Sequence, residues 1–398
     1  MDEIVEMAKN LQEELRAHRR TIHGYAEVDM DLPKTSAYVK ARLTEMGLEP
    51  YDVGPCGVAV LIGGKKPGKV VLLRADMDAL LGQELSGLEF QATNGHMHAC
   101  GHDLHTAMLL GAAKVLKSME DRIQGTIKLM FQPGEETLNG AKAMVEAGIL
   151  DNPKVDAAMM LHVFSGLPFD SGCFMIPEAG PVSASSDKFD IVIQGKGGHG
   201  AMPNFGVDPL NVACHTHLAL QEIIAREVAA TDPAVVTVGY LQGGQANNVI
   251  PDSAKLGGTV RTFSVANRDF IEKRLPEIVQ NVATTFRASA SVSYVRGCPS
   301  VVMDKALRND FVEIINRRFG PDAFVKGAPF DKMMGSEDFS FVTEKVPSIM
   351  VALTAGDARK GMTFAQHHPK VLFDEEVLYR GTAAYAAFAF DWLAGHGV

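Results

Sequence analysis

Hydrophobic and polar positions follow two different rhythms along this chain. Residues 1–20 and 34–47 set apolar positions at helical spacing among charged ones, the second run stopping at Gly47, and predict two amphipathic surface helices. His23 then falls in the loop between them. Near-continuous apolar runs follow at 58–62, 69–74, 126–131 and 157–161, separated by helical patterns at 105–116 and 140–147. Apolar strands alternating with helices predict an α/β sheet buried on both faces and mostly parallel.

From Ser186 the rhythm changes. Strand-like runs at 189–194, 234–240, 253–263 and 290–295 combine with helical runs at 208–228 and 267–288. Their order, β-α-β-β-α-β, is that of a ferredoxin-like two-layer unit with an antiparallel sheet. The α/β pattern then resumes with a helix at 307–319, a core strand at 348–354 and a closing helix at 374–393. The expected architecture is therefore α/β and two-domain. A mixed, mostly parallel sheet flanked by helices is discontinuous over 1–185 and 297–398, and a ferredoxin-like α+β domain is inserted at 186–296. A length of 398 residues agrees, since it exceeds one comfortable core.

Composition narrows the function. The net charge of −10 and the lack of any basic run argue against a nucleic-acid surface. No apolar run is long enough to span a bilayer. The start, Met1-Asp2-Glu3-Ile4-Val5-Glu6, is acidic where a signal peptide is basic and then apolar, so a cytoplasmic protein is expected. Five cysteines, odd in number and scattered, make no disulfide framework. Cys56, Cys173, Cys214 and Cys298 read as core or incidental; Cys100 alone has ligand-type neighbours.

That neighbourhood is His98-Ala99-Cys100-Gly101-His102-Asp103-Leu104-His105, with one thiol, three imidazoles and a carboxylate in eight residues. Such a density of soft and borderline donors suits a transition metal. Cys100 and His102, two apart, cannot share a helix face, but a turn at Gly101 lets them converge. The bland alternative is a polar loop around an ordinary buried cysteine. Asp76, Asp78, Glu135, Glu136 and His162 all fall at the C-terminal ends of expected strands, the edge where open α/β sheets bind ligands. Adjacent carboxylates such as Glu135 and Glu136 are common on surfaces. Beside a metal they can divide ligation from proton transfer. His367-His368-Pro369, in a loop after the last strand, adds imidazole donors. Cys100, His102, Glu136, His162 and His367 together exceed one tetrahedral zinc, which leaves room for two metals bridged by Cys100 or a carboxylate.

Cys100-Gly101-His102-Asp103, Gly134-Glu135-Glu136, Leu161-His162-Val163, Gly197-Gly198-His199-Gly200-Ala201-Met202-Pro203 and His367-His368-Pro369 occur in this order. In this combination the chain resembles the aminoacylase-like metallopeptidases, specifically the amidohydrolase branch of hippurate hydrolases, N-acyl-amino-acid deacylases and auxin-conjugate hydrolases. The resemblance covers essentially the whole chain. It implies a zinc-peptidase-like catalytic domain with an inserted lid, and two divalent ions per subunit, zinc, manganese or cobalt. Their ligands would be Cys100 as the bridge with His102, Glu136, His162 and His367. It further implies Glu135 as general base toward a metal-activated water, and Asp78, with Asp76 as a second candidate, behind the ligands. Asp103 and His105 are further candidates for that supporting layer. On the lid it implies His199 as oxyanion stabiliser and Asn248 and Arg261 as substrate contacts. Arg261 would grip a carboxylate, its bland alternative being a surface arginine. Gly335-Ser336-Glu337-Asp338-Phe339 also matches a family motif. One departure is Ala26, where relatives carry proline, expected to alter loop stiffness only. The implied substrate is a small N-acyl-amino acid or related amide, with no nucleic-acid or membrane partner and a homodimer through the exposed edge of the lid sheet. A metallo-carboxypeptidase or dipeptidase is the alternative within this chemistry, and a non-catalytic metal or small-molecule binder the alternative outside it.

Overall fold

The strands that the apolar runs predict assemble, in a computed structural model describing residues 2–326 and 332–397, into two separate sheets. The chain divides into two units. The first comprises Met1–Gly180, Val301–Asp331 and Asp338–Val398, and the second Pro181–Ser300 and Lys332–Glu337.

The first unit is built on a seven-stranded mixed sheet in the order Tyr51–Asp52, Val58–Gly63, Thr126–Gln132, Val70–Asp76, Ala157–Phe164, Ser348–Thr354, Phe174–Met175. Its four central neighbours run parallel and its margins antiparallel. Every residue of Val70–Asp76 and Ser348–Thr354 is buried, as their apolar runs require when both faces are covered. The marginal strands Tyr51–Asp52 and Phe174–Met175 are two residues long, too short to leave a periodic signal.

Helices His102–Ser118 and Leu378–Gly395 cross closely beneath this sheet. Gly111 and Gly381 allow it: a Cβ on Gly381 would fall 1.9 Å from Met108 Sδ, and one on Gly111 2.9 Å from Thr382 Oγ1. The first predicted helix is two, Glu3–Asn10 and Gln12–Tyr25, and the second carries His23. The expectation that His23 lies in a loop is therefore corrected: helical spacing of Leu15, Arg19, Ile22 and His23 keeps them on one buried face. That helix is capped at Ala26, whose φ of 38° is left-handed, a conformation closed to proline.

The winding direction of the sheet reverses at one place. From Val70–Asp76 the chain adds Thr126–Gln132 on one side, then crosses back to add Ala157–Phe164 on the other. Pairing between Val70–Asp76 and Ala157–Phe164 stops at Arg74–Met160, and beyond it the strands part. The Tyr385 hydroxyl pins the parting strands, accepting from the Leu161 N–H at 3.0 Å and donating to the Arg74 carbonyl at 2.7 Å. A crevice at such a switch point is the usual ligand site of an open α/β sheet.

The second unit is a four-stranded antiparallel sheet in the order Ala234–Gly243, Ser253–Thr262, Asp187–Gln194, Ser289–Arg296. Helices Pro209–Glu222 and Val265–Thr285 pack against it, giving the ferredoxin-like order. Strict alternation of buried and exposed residues along Asp187–Gln194 gives one core face and one open face. Its entry and exit run side by side, the Ser186 N–H donating to Cys298 O at 3.0 Å. Among the described residues, no helix is long and apolar enough to cross a membrane.

Candidate metal centre

The Cys100 segment enters this crevice through a tight turn. Gly101 has φ 92°, and a Cβ there would sit 2.4 Å from Val163 Cγ2, so the turn needs glycine both for its angle and for its closeness to the neighbouring strand. The helix begins at His102, placing Cys100 just before it and His102, Asp103 and His105 in its first turn, all buried.

His105 stands where the strands part. The Val163 N–H donates to His105 Nε2 at 2.8 Å, so the ring proton is on Nδ1, which donates to Asp76 Oδ1 at 2.6 Å. The imidazole thus takes the place of a missing backbone bond between two strands. Arg74, wholly buried, holds Asp76 at 2.7 Å and also bonds Gln132 and Asp338. Asp338 in turn accepts from the Ala141 N–H at 2.8 Å, anchoring the helix that follows the Glu135–Glu136 turn. Burial opposes a charge on Asp76, but Arg74 and the two imidazoles outweigh it and keep the carboxylate ionised.

The two buried histidines that sequence reasoning singled out are oriented by carbonyls. His102 Nδ1 bonds the Asp78 carbonyl at 2.9 Å, and His162 Nδ1 the Val163 carbonyl at 2.7 Å. Each ring therefore turns Nε2 inward. His162 lies within its strand, not after it, because the apolar run continues through Val163 and Phe164. Glu135 and Glu136 follow Thr126–Gln132 on a turn whose N–H groups both reach Asp78, at 3.0 and 3.1 Å. The Asp78 carboxylate thus serves that turn, while its carbonyl serves His102. Of the adjacent histidines, His367 faces the site, 3.6 Å from Glu136 Oε2. His368 turns away and stacks on Phe364.

Donor atoms of Cys100, His102 and His162 lie within 4.8 Å of one another, as do those of Cys100, Glu136 and His367. Cys100 belongs to both groups, with its Sγ 3.5 Å from His162 Nε2. Among the described residues, His102 Nε2 and Glu136 Oε1, both buried, have no hydrogen-bond partner, although a buried polar atom left unpaired is costly. Electrostatics point the same way. Burial pushes the His162 pKa well down, keeping the ring neutral. Burial and the nearby Asp78 and Asp76 raise Glu136 to about 7, although His102 opposes them. His102, despite its burial, is pushed well up by Asp76, Cys100 and Asp78, which is the field a divalent cation would meet. Sulfur, nitrogen and oxygen donors with two orphaned atoms fit a divalent transition metal.

A buried network lies behind Cys100 and His102 that sequence reasoning caught only in part. Asp103 accepts from Arg19 Nε at 3.0 Å and His23 Nδ1 at 2.8 Å, and His23 Nε2 meets Glu84 at 3.0 Å. Burial pulls His23 down, but these carboxylates raise it to about 9. Arg19 and Glu84 went unremarked because each looks like a surface charge; an arginine on the apolar face of an amphipathic helix was the available signal. In the second unit, His199 is exposed on the short strand Gly198–His199, which pairs with Val249–Ile250, and the Asn248 carbonyl accepts from the Gly200 N–H at 2.8 Å. His199 and Asn248 are thus neighbours, whereas Arg261 lies on Ser253–Thr262 and bonds the Ser336 hydroxyl.

Comparison with known proteins matches residues 72–391 to the model of peptidase family M20/M25/M40. An IAA-amino acid hydrolase, ILR1-like 4, of Arabidopsis thaliana is 39% identical over 94% of this chain and 84% of its own length. Thermostable carboxypeptidase 1 of Saccharolobus solfataricus is 35% identical over 97% of this chain and 98% of its own. Among solved structures, a dinuclear metal-binding M20 peptidase of Bacillus subtilis superposes with a TM-score of 0.83 at 32% identity, covering 97% of this chain and 99% of that one.

Proposed function

We propose that this chain, which belongs to peptidase family M20/M25/M40, hydrolyses the amide bond of N-acyl-amino acids with two divalent metal ions at the crevice. The coarser class is plain: the chain is a hydrolase of amide or peptide bonds with a candidate metal-binding active site. The observation that supports the two-ion reading is the sharing of Cys100 between two groups of donors, and by resemblance a cysteine at this position favours the amidohydrolase branch. Cys100, His102, Glu136, His162 and His367 would hold the ions. Bound there, zinc, manganese or cobalt would supply Lewis-acid polarisation of the scissile carbonyl and acidify a water.

The residues of the chain do the rest. Glu135 takes the proton of the attacking water and returns it to the departing amine. Its turn is held by Asp78, so its carboxylate is presented from a fixed backbone. On the second unit, His199 stabilises the negative charge that develops on the carbonyl oxygen, with Asn248 beside it. Arg261 binds the substrate carboxylate. We place the enzyme in the cytoplasm as a homodimer through the second unit's sheet edge, acting on small molecules and not on nucleic acid or membranes.

The name of the Arabidopsis relative favours an acylated amino acid as substrate, and that of the Saccharolobus relative favours a peptide. The deciding experiment measures amine release from N-acetyl, N-benzoyl and longer N-acyl amino acids and from dipeptides, with chelated protein reloaded with each metal. Metal-dependent turnover of acylated amino acids is expected. Turnover of dipeptides alone would move the reading to carboxypeptidase or dipeptidase. Silence with metal bound would move it to a binding protein.

A further inference from the structure

We infer that Gln366 is a positioning residue that fixes His367 and thereby sets the metal affinity of the Cys100–Glu136–His367 group. This rests on the ligand reading proposed above.

His367 differs from the other donors. Its side chain is 57% exposed, whereas Cys100, His102 and His162 are buried. Its φ of 67° is left-handed, unfavourable for a residue with a Cβ and sustained only where neighbours hold the backbone. Two bonds hold it. The His367 N–H donates to Ala99 O at 2.9 Å, next to Cys100, and Gln366 Nε2 donates to Val163 O at 2.8 Å.

The second bond reaches an unusual acceptor. The same Val163 carbonyl takes the His162 Nδ1–H at 2.7 Å, while the Val163 N–H is held by His105 at 2.8 Å. One residue, Val163, is thus held through both its N–H and its C=O, and it ties two candidate ligands from different chain segments. The backbone of the His367 loop also presses on the strand exit, since a Cβ on Gly166 would meet Ala365 N at 2.7 Å. Without the Gln366 amide, His367 keeps its imidazole but loses the side-chain bond that ties its loop to this fixed point.

The test uses full-length protein stripped of metal, as wild type, Gln366→Met and His367→Ala. Zinc is titrated in competition with a chromophoric chelator, and the melting temperature of each metal-free protein is recorded. Wild type should bind two tight equivalents and His367→Ala one. Gln366→Met should keep its first equivalent unchanged and weaken the second roughly 10–100-fold, with an unchanged metal-free melting temperature. Two wild-type equivalents in Gln366→Met overturn the inference. So does joint weakening of both equivalents with a lowered melting temperature, the mark of a merely structural residue. Two wild-type equivalents in His367→Ala instead overturn the ligand reading.

Discussion

The carboxylate of Asp78 accepts the backbone N–H of Glu135 at 3.0 Å. Its other oxygen accepts the N–H of Glu136 at 3.1 Å, so one buried side chain holds the turn that carries both glutamates. Asparagine at 78 keeps one acceptor and turns an amide N–H toward the other backbone donor. Asp78→Asn should therefore misplace the pair without emptying the site. We expect kcat to fall roughly 10–100-fold with KM changed little, read from steady-state kinetics on the best acyl-amino acid. A wild-type kcat would mean the turn holds itself.

Glu135→Gln removes the proton acceptor and retains shape. Turnover should fall about 10²–10⁴-fold while the protein still binds its full complement of metal, measured by elemental analysis after gel filtration. If metal is lost in step with activity, Glu135 is a ligand and not the base.

His23 links stability to pH. Its pKa, raised to about 9 by Asp103 and Glu84 against the pull of burial, lies above the ordinary 6.5. The folded state therefore binds the proton more tightly. The stabilisation is complete below pH 6.5, decays as pH rises, and is gone once pH passes 9. Its ceiling is about 3 kcal/mol. His23→Gln should be less stable than wild type at pH 6, with the gap closing toward pH 10, in denaturant melts at both values. A gap independent of pH would show that His23 contributes by packing alone.

Gly101→Ala meets two separate obstacles, a φ of 92° and a contact of 2.4 Å with Val163 Cγ2. Each costs on the order of 1–2 kcal/mol. Val163→Ala removes only the second, so the double variant should recover part of the loss, a coupling of about 1 kcal/mol. Denaturation of the two single variants and the double would show it; strict additivity would place the whole cost in the backbone angle.

The sheet and the inserted β-α-β-β-α-β unit were legible because both rest on local periodicity, which 5–10 residues suffice to display. Most of the donor residues that meet in the crevice were legible for a related reason: Cys100, His102, Glu136 and His367 each sit in a short cluster of unusual residues, whereas His162 is a lone polar residue inside an apolar strand. Other features were not. Arg74 and Asp338 bond across 264 positions, and nothing local in either says that the other is its partner. His23 read as a loop residue because the helical pattern weakens before Tyr25, yet its face is buried against Asp103 and Glu84. Gln366 offers no signal at all: its importance lies in one carbonyl contributed by a strand 203 positions earlier.

The strand Ala157–Phe164 pairs in parallel with Ser348–Thr354, and the whole inserted unit lies between them in the chain. A ribosome therefore delivers the insert, whose own pairings are far shorter in sequence, well before the catalytic sheet can be completed. Long-range parallel pairing is the slow part of folding, and here it comes last. His367 emerges later still. An unfinished chain accordingly lacks one of the two donor groups until residue 367 has been added.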